Sequence, residues 1–106
     1  MNIQKYSEAE FATEVAHCVA EVFELSVYQL FDNSRIKPLP DCRKIMLKVI
    51  KDNFPEITPS RLSKLVGYEH RCAPYHALKA FLKHYETEEW FRERYHLVLS
   101  KINSRR

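Results

Sequence analysis

Glycine is nearly missing from this chain: Gly67 is the only one in 106 residues. Hairpins and β-sandwiches need glycine at many tight turns, so such folds are disfavoured and an all-helical bundle is expected. No Gly-x-x-x-x-Gly-Lys-Ser/Thr phosphate loop is present, so no ATP-driven machinery of that kind is expected. Cysteine is sparse and odd in number. Cys18, Cys42 and Cys72 form no close pair, which points to reduced thiols in a cytoplasmic protein without a disulfide framework. No apolar run approaches the ~20 residues of a membrane span. The opening residues do not predict a secretory signal, because Glu8 and Glu10 fall where its apolar region would lie. Repeats, linkers and low-complexity tracts are also lacking, so residues 1–106 are read as one domain.

What is present suits a helical domain. Hydrophobic residues make up 45% of the chain and aromatics 12%, enough for one modest core and too apolar for a disordered tail. The net charge of +3 is unevenly placed. Residues 1–33 set one lysine against Glu8, Glu10, Glu14, Glu21, Glu24 and Asp32, a net −5, whereas residues 34–106 set 16 Lys and Arg against 8 acids, a net +8. An acidic first helix on a basic body suggests one face made for polyanions; the alternative is an ordinary Lys/Arg-rich helical surface.

The chain divides into helices by period and capping signals. Ser7 and Glu10 have the spacing of a capping box, and Phe11, Val15, Cys18, Val19, Val22 and Phe23 follow on one face. Ser26 and Gln29 form a second box, with Leu25 and Leu30 placed as a hydrophobic staple, and Asp32-Asn33-Ser34 would end that short helix. After a basic, proline-bearing loop, 34–40, Asp41 is expected to cap a third helix with Ile45, Met46, Val49 and Ile50 inward. Asn53 to Ile57 reads as a turn. Thr58 then caps a fourth helix with Pro59 at its first position, Leu62, Leu65 and Val66 form its stripe, and Gly67 is placed as its left-handed terminator. A fifth helix is expected to start near Pro74 and turn Leu78, Phe81, Leu82 and Tyr85 inward, leaving Cys72, His76, Lys79 and Lys83 opposite. Thr87 is expected to cap a sixth, with Glu88 and Glu89 at its positive end and Phe91, Tyr95, Val98 and Ile102 buried.

Residues 62–77 therefore read as helix, glycine-broken turn and helix, the layout of a helix-turn-helix. Together with Val19-Ala20-Glu21-Val22-Phe23-Glu24-Leu25-Ser26-Val27-Tyr28-Gln29-Leu30, with the loop Ser34-Arg35-Ile36-Lys37-Pro38-Leu39-Pro40-Asp41-Cys42-Arg43-Lys44-Ile45, and with Thr87 and Phe91, this segment resembles the C-terminal DNA-binding domain of the bacterial replication initiator DnaA over roughly residues 10–103. The resemblance implies an all-α, compact bundle of about six helices with an embedded helix-turn-helix, like the DnaA C-terminal domain and Trp repressor. It also implies binding of double-stranded DNA, linked to replication initiation or its regulation. Arg35, with Lys37 beside it, takes the family's basic-loop role along the backbone and in the minor groove; Arg43, next to Lys44, takes that of a phosphate contact. The recognition segment departs from the family's Gly-Gly-Arg-Asp-His-Ser/Thr-Thr-Val-x-His-Ala, agreeing only at Gly67, His76 and Ala77. Glu69 replaces a base, Cys72 and Ala73 replace two hydroxyl residues, and Pro74 removes a backbone donor. Another target sequence, or binding without much sequence preference, is the consequence.

The candidate DNA contacts are thus Arg35, Lys37, Arg43, Lys44, Tyr68, His70, Arg71, Cys72, His76, Lys79 and Lys83. Each has a plainer alternative. Arg71, Lys79 and Lys83 could lie on a solvated helix face, His76 could be a half-buried structural histidine, and Tyr68 could pack on the fourth helix. Trp90 reads as a core-edge or contact residue. His70, Cys72 and His76 lack the second ligand pair of a zinc site, and Cys72 lacks the glycine turn and orienting acid of a catalytic thiol, so neither a cofactor nor an enzyme is expected. Neither nucleotide nor membrane is expected as a partner. The rival function is a protein-interaction module that keeps the fold, has lost base readout, and docks a partner on Glu10, Glu14, Glu21 and Glu24.

Overall fold

The computed structural model of the protein describes residues 7–31, 37–68 and 72–105. They form six helices and, among the described residues, no strand: α1 (Glu8–Phe23), α2 (Val27–Leu30), α3 (Leu39–Asn53), α4 (Pro59–Val66), α5 (Ala73–Thr87) and α6 (Glu89–Ser104). The ends of these helices follow local chemistry. The Ser7 hydroxyl accepts from the Glu10 amide at 3.0 Å, and both halves of the Ser26–Gln29 box are made, at 2.8 and 3.2 Å. Thr58 accepts from the Arg61 amide at 3.2 Å, ahead of Pro59.

Two helices end in the left-handed region. Gly67, at φ +90°, closes α4, and the Tyr68 amide reaches back to the Ser63 carbonyl at 2.9 Å. Glu24, at φ +58°, closes α1 in the same manner, with the Leu25 amide donating to the Ala20 carbonyl at 2.8 Å. A chain with one glycine thus uses a glutamate where the backbone favours glycine.

Helix α3 packs against every other helix. It is buried on nearly all sides, through Leu39, Cys42, Ile45, Met46, Leu47, Val49 and Ile50. Phe11, Val15 and Val19 of α1 complete the core from one side, with Phe91, Val98 and Ile102 of α6. On the other side Phe81 of α5 lies 5.5 Å from Phe91 and 4.9 Å from Tyr95, both edge-on, and locks α5 to α6. Among the described residues no helix is long and apolar enough to cross a membrane.

Three expectations are corrected. Asp41 does not cap α3: the helix starts at Leu39 behind Pro38, because proline fits a first helical turn, and Asp41 lies inside that turn, buried. Thr87 does not cap α6. It is the last residue of α5, its hydroxyl donates to the Lys83 carbonyl at 2.7 Å, and Glu88 alone separates the two helices. Leu82 is 55% exposed, because the inward stripe of α5 runs through Pro74, Ala77 and Phe81 with Leu78 and Tyr85 at its edges, and leaves position 82 outside. The expected helix stop at Asp32-Asn33-Ser34 lies outside the described residues.

The two left-handed caps are expected to respond oppositely to substitution. At Gly67 a Cβ would lie 3.3 Å from Cδ1 of Phe31 in a conformation side chains avoid, so Gly67→Ala should destabilise by about 1–2 kcal/mol, whereas Glu24→Gly should stabilise by up to about 1 kcal/mol, both read from urea unfolding.

Candidate nucleic-acid interface

The basic positions divide into those the fold turns inward and those it leaves outside. Helix α5 begins at Ala73, with Pro74 buried in its first turn and no side chain capping it. Because Ala77 and Phe81 must meet the core, the opposite side of α5 carries Cys72, Tyr75, His76, Lys79 and Lys83, all exposed. From Ala73 to Lys83 no acidic residue occurs. The Lys79 ammonium sits over the Tyr75 ring at 4.7 Å from its centroid, and the His76 ring stands edge-on to Tyr75 at 6.0 Å. This cationic–aromatic surface adjoins an open groove of about 480 Å³, lined by Thr58, Pro59 and Ser60 at the start of α4 and by Cys72, Tyr75 and His76. The N-termini of α4 and α5 are therefore neighbours across this groove. Lys37, just ahead of α3, is also exposed. Arg35, His70 and Arg71 lie outside the described residues.

Two expected phosphate contacts are corrected. Arg43 is buried, at 9% exposure, and lies near enough to Tyr68 for its charge to act on the phenol. Lys44 is drawn into an ionic cluster between α3 and α5. Its ammonium lies 3.5 Å from Asp41 Oδ1 and 3.2 Å from His84 Nδ1, and only 17% of its side chain is exposed. His84 Nδ1 also lies 3.4 Å from Asp41 Oδ1, and its Nε2 lies 3.5 Å from Glu88 Oε1. The reason for the inward turn is Asp41: its carboxylate is almost fully buried, and its second oxygen finds no hydrogen-bond partner among the described residues. A buried carboxylate demands a nearby cation, and Lys44 lies one helical turn away. The i,i+3 spacing of Asp41 and Lys44 is visible in sequence; the burial that makes it decisive is not.

Tyr68, left open between packing and contact, is half-buried against the core, and that burial pushes its phenol above the ordinary value. Tyr75, which sequence reasoning passed over, is 62% exposed in the centre of the α5 face. The acidic surface of α1 is partly consumed within the chain: Glu21 pairs with Lys101 at 3.3 Å and with Arg105, and Glu8 pairs with Arg61 at 3.2 Å. Of the four glutamates expected to dock a partner, Glu21 is thus already paired with the end of α6.

All three cysteines are free thiols. Burial pushes Cys42 up to about 12, with the adjacent Asp41 carboxylate adding to the effect, and burial also raises Cys18; Cys72 is exposed on the α5 face. No family model, curated protein or solved structure matches this chain.

Two outcomes are expected from these positions. Iodoacetamide at pH 8 should modify one thiol per native chain, at Cys72, and three in denaturant, counted by intact mass. Lys44→Ala should lower stability by about 1–3 kcal/mol, by removing the cation beside buried Asp41, and leave duplex affinity within about twofold of the parent in a fluorescence titration.

Proposed function

We propose that the chain is a non-enzymatic, double-stranded DNA-binding domain that lays the outer face of α5 into the major groove. One observation carries this reading: over its first three turns the exposed side of α5 is charged with one sign only, by Lys79 and Lys83, with His76 and the Tyr75 ring among them. A helix fits the major groove, lysines along it neutralise phosphates, and an aromatic ring and imidazole between them offer contacts to base edges. The exposed Lys37 would add a backbone contact from the segment ahead of α3. In this reading α4, the Gly67 turn and α5 act as a helix-turn-helix, as the resemblance to the DnaA C-terminal domain implies. The biological setting proposed with it is replication initiation or its regulation: competition for initiator sites, marking of an origin, or control of a mobile element or phage genome.

The specificity differs from the initiator's in this proposal. Cys72 and Ala73 offer no hydroxyl to a phosphate or thymine, and Tyr75 occupies the centre of the face. The protein-interaction alternative would use Glu10, Glu14, Glu21 and Glu24, of which Glu21 is paired with Lys101 inside the chain.

Selection of bound duplexes from a random pool at moderate salt should enrich a motif, and binding should weaken steeply as salt rises. Replacing Lys79 and Lys83 together by alanine should lower affinity at least about tenfold at low salt and reduce the slope of log K against log salt by about 2. Unchanged affinity and slope in that variant would sink the α5 assignment, and no retention of any duplex at low salt would sink DNA binding itself.

A further inference from the structure

Six large apolar side chains are exposed among the described residues, in three pairs: Tyr28 on α2 with Phe31 at its C-cap, Tyr75 and Leu82 on α5, Trp90 and Leu97 on α6. The α2 pair is divided, since the Phe31 ring covers Gly67 while Tyr28 stands clear. On α5 the exposed charge between the pair is Lys79, with Lys83 next to Leu82 and Glu86 a turn beyond it, so two copies overlapping between Tyr75 and Leu82 would set lysines together. The α6 pair is different. Trp90 is 40% exposed and Leu97 51%, seven residues apart on a stripe that flanks the buried Phe91, Tyr95, Val98 and Ile102. On the stripe between them lie Glu93 and Arg94, while Arg92, also between them in sequence, is drawn to α5, where it donates to the Tyr85 carbonyl at 2.7 Å. Glu93 is exposed and makes no ion pair among the described residues, while the Arg94 guanidinium lies over the Trp90 ring at 5.7 Å and over Phe23 at 6.0 Å.

We propose that this stripe of α6 docks a second copy of the chain, the two α6 helices lying antiparallel about a two-fold axis between positions 93 and 94. The sequence is self-complementary in that register. Trp90 of each copy meets Leu97 of the other, and Glu93 of each copy meets Arg94 of the other, so both apolar pairs are covered and both charges are matched. A parallel arrangement would bring Glu93 to Glu93 and Arg94 to Arg94, and the resulting repulsion selects the antiparallel one. The cation–π contact holds Arg94 beside the indole, at the place where the other copy's carboxylate arrives. The stripe shares no residue with the α5 face, so the dimer goes beyond the DNA-binding reading and stands or falls without it. Bound to DNA, such a dimer would present two α5 faces and favour a site with two-fold symmetry.

Sedimentation equilibrium on the full chain without DNA, from about 1 μM to about 1 mM, should show the mass rising from 12.7 kDa toward twice that value. Glu93→Arg and Arg94→Glu should each weaken self-association at least about tenfold, because each puts like charges across the axis twice. An equimolar mixture of the two variants should associate again, to within about threefold of the parent, since the charges then complement one another. Leu97→Glu, at a position already half exposed, keeps the fold by circular dichroism and should also weaken the dimer; it serves where Arg94→Glu disturbs the packing on Phe23. A chain that stays monomeric throughout the range overturns the proposal, as does a dimer indifferent to Glu93→Arg and Leu97→Glu, or a mixture of folded variants that remains monomeric.

Discussion

Helix α3 is buried on nearly all sides and yet carries Asp41, Arg43 and Lys44 in its first two turns. That conflict organises the molecule. An apolar helix in this position would need only shape from its neighbours; this one needs charges as well. Lys44 turns in to Asp41, and His84 comes down from α5 to meet both of them. The ionic cluster therefore fixes the rotation of α5 about its axis as much as the fixing of Phe81 between Phe91 and Tyr95 does. Once His84 and Phe81 face α3 and α6, helical periodicity leaves Tyr75, His76, Lys79 and Lys83 no side except the outer one.

The inward and outward fates of the basic residues follow from this arrangement. Arg43 and Lys44 look equivalent to Lys79 and Lys83 in a list of positive charges. They are not, because a charge beside a buried carboxylate does its work within the fold, and one on an exposed face is available to a polyanion. The same sorting applies to the acids. Glu21 is held by Lys101 and Arg105, so the negative end of the molecule is tied to its own C-terminal helix.

The exposed apolar residues are distinguished by the charges among them. On α5, Tyr75 sits among Lys79, Lys83 and His76, with Glu86 only beyond Leu82, which favours a negatively charged partner at the start of the helix. On α6, Trp90 and Leu97 sit with one charge of each sign, which favours a second copy in one orientation. Two outward faces of one small bundle thus carry different charge patterns, and the two proposals rest on that difference.

Much of the fold was determined by sequence alone, because it rests on local rules. One glycine required helices, Ser7, Ser26 and Thr58 marked three starts through hydroxyl caps, and the 3.6-residue period put Phe11, Ile45, Phe91 and Val98 inside. The exposed positions Cys72, His76, Lys79 and Lys83 were legible for the same reason, as the complement of a buried stripe. Only the tertiary structure decided the rest. Whether Asp41 caps a helix or lies buried depends on where Pro38 lets α3 begin, and whether Lys44 meets solvent or His84 depends on a residue forty positions away. Leu82 lies outside, and Glu21 is paired, because of how α5 and α6 settle on their neighbours. Periodicity names the face of a helix, but long-range burial and the need to neutralise a buried charge choose which residues at its edge are spent on the fold and which remain free to bind.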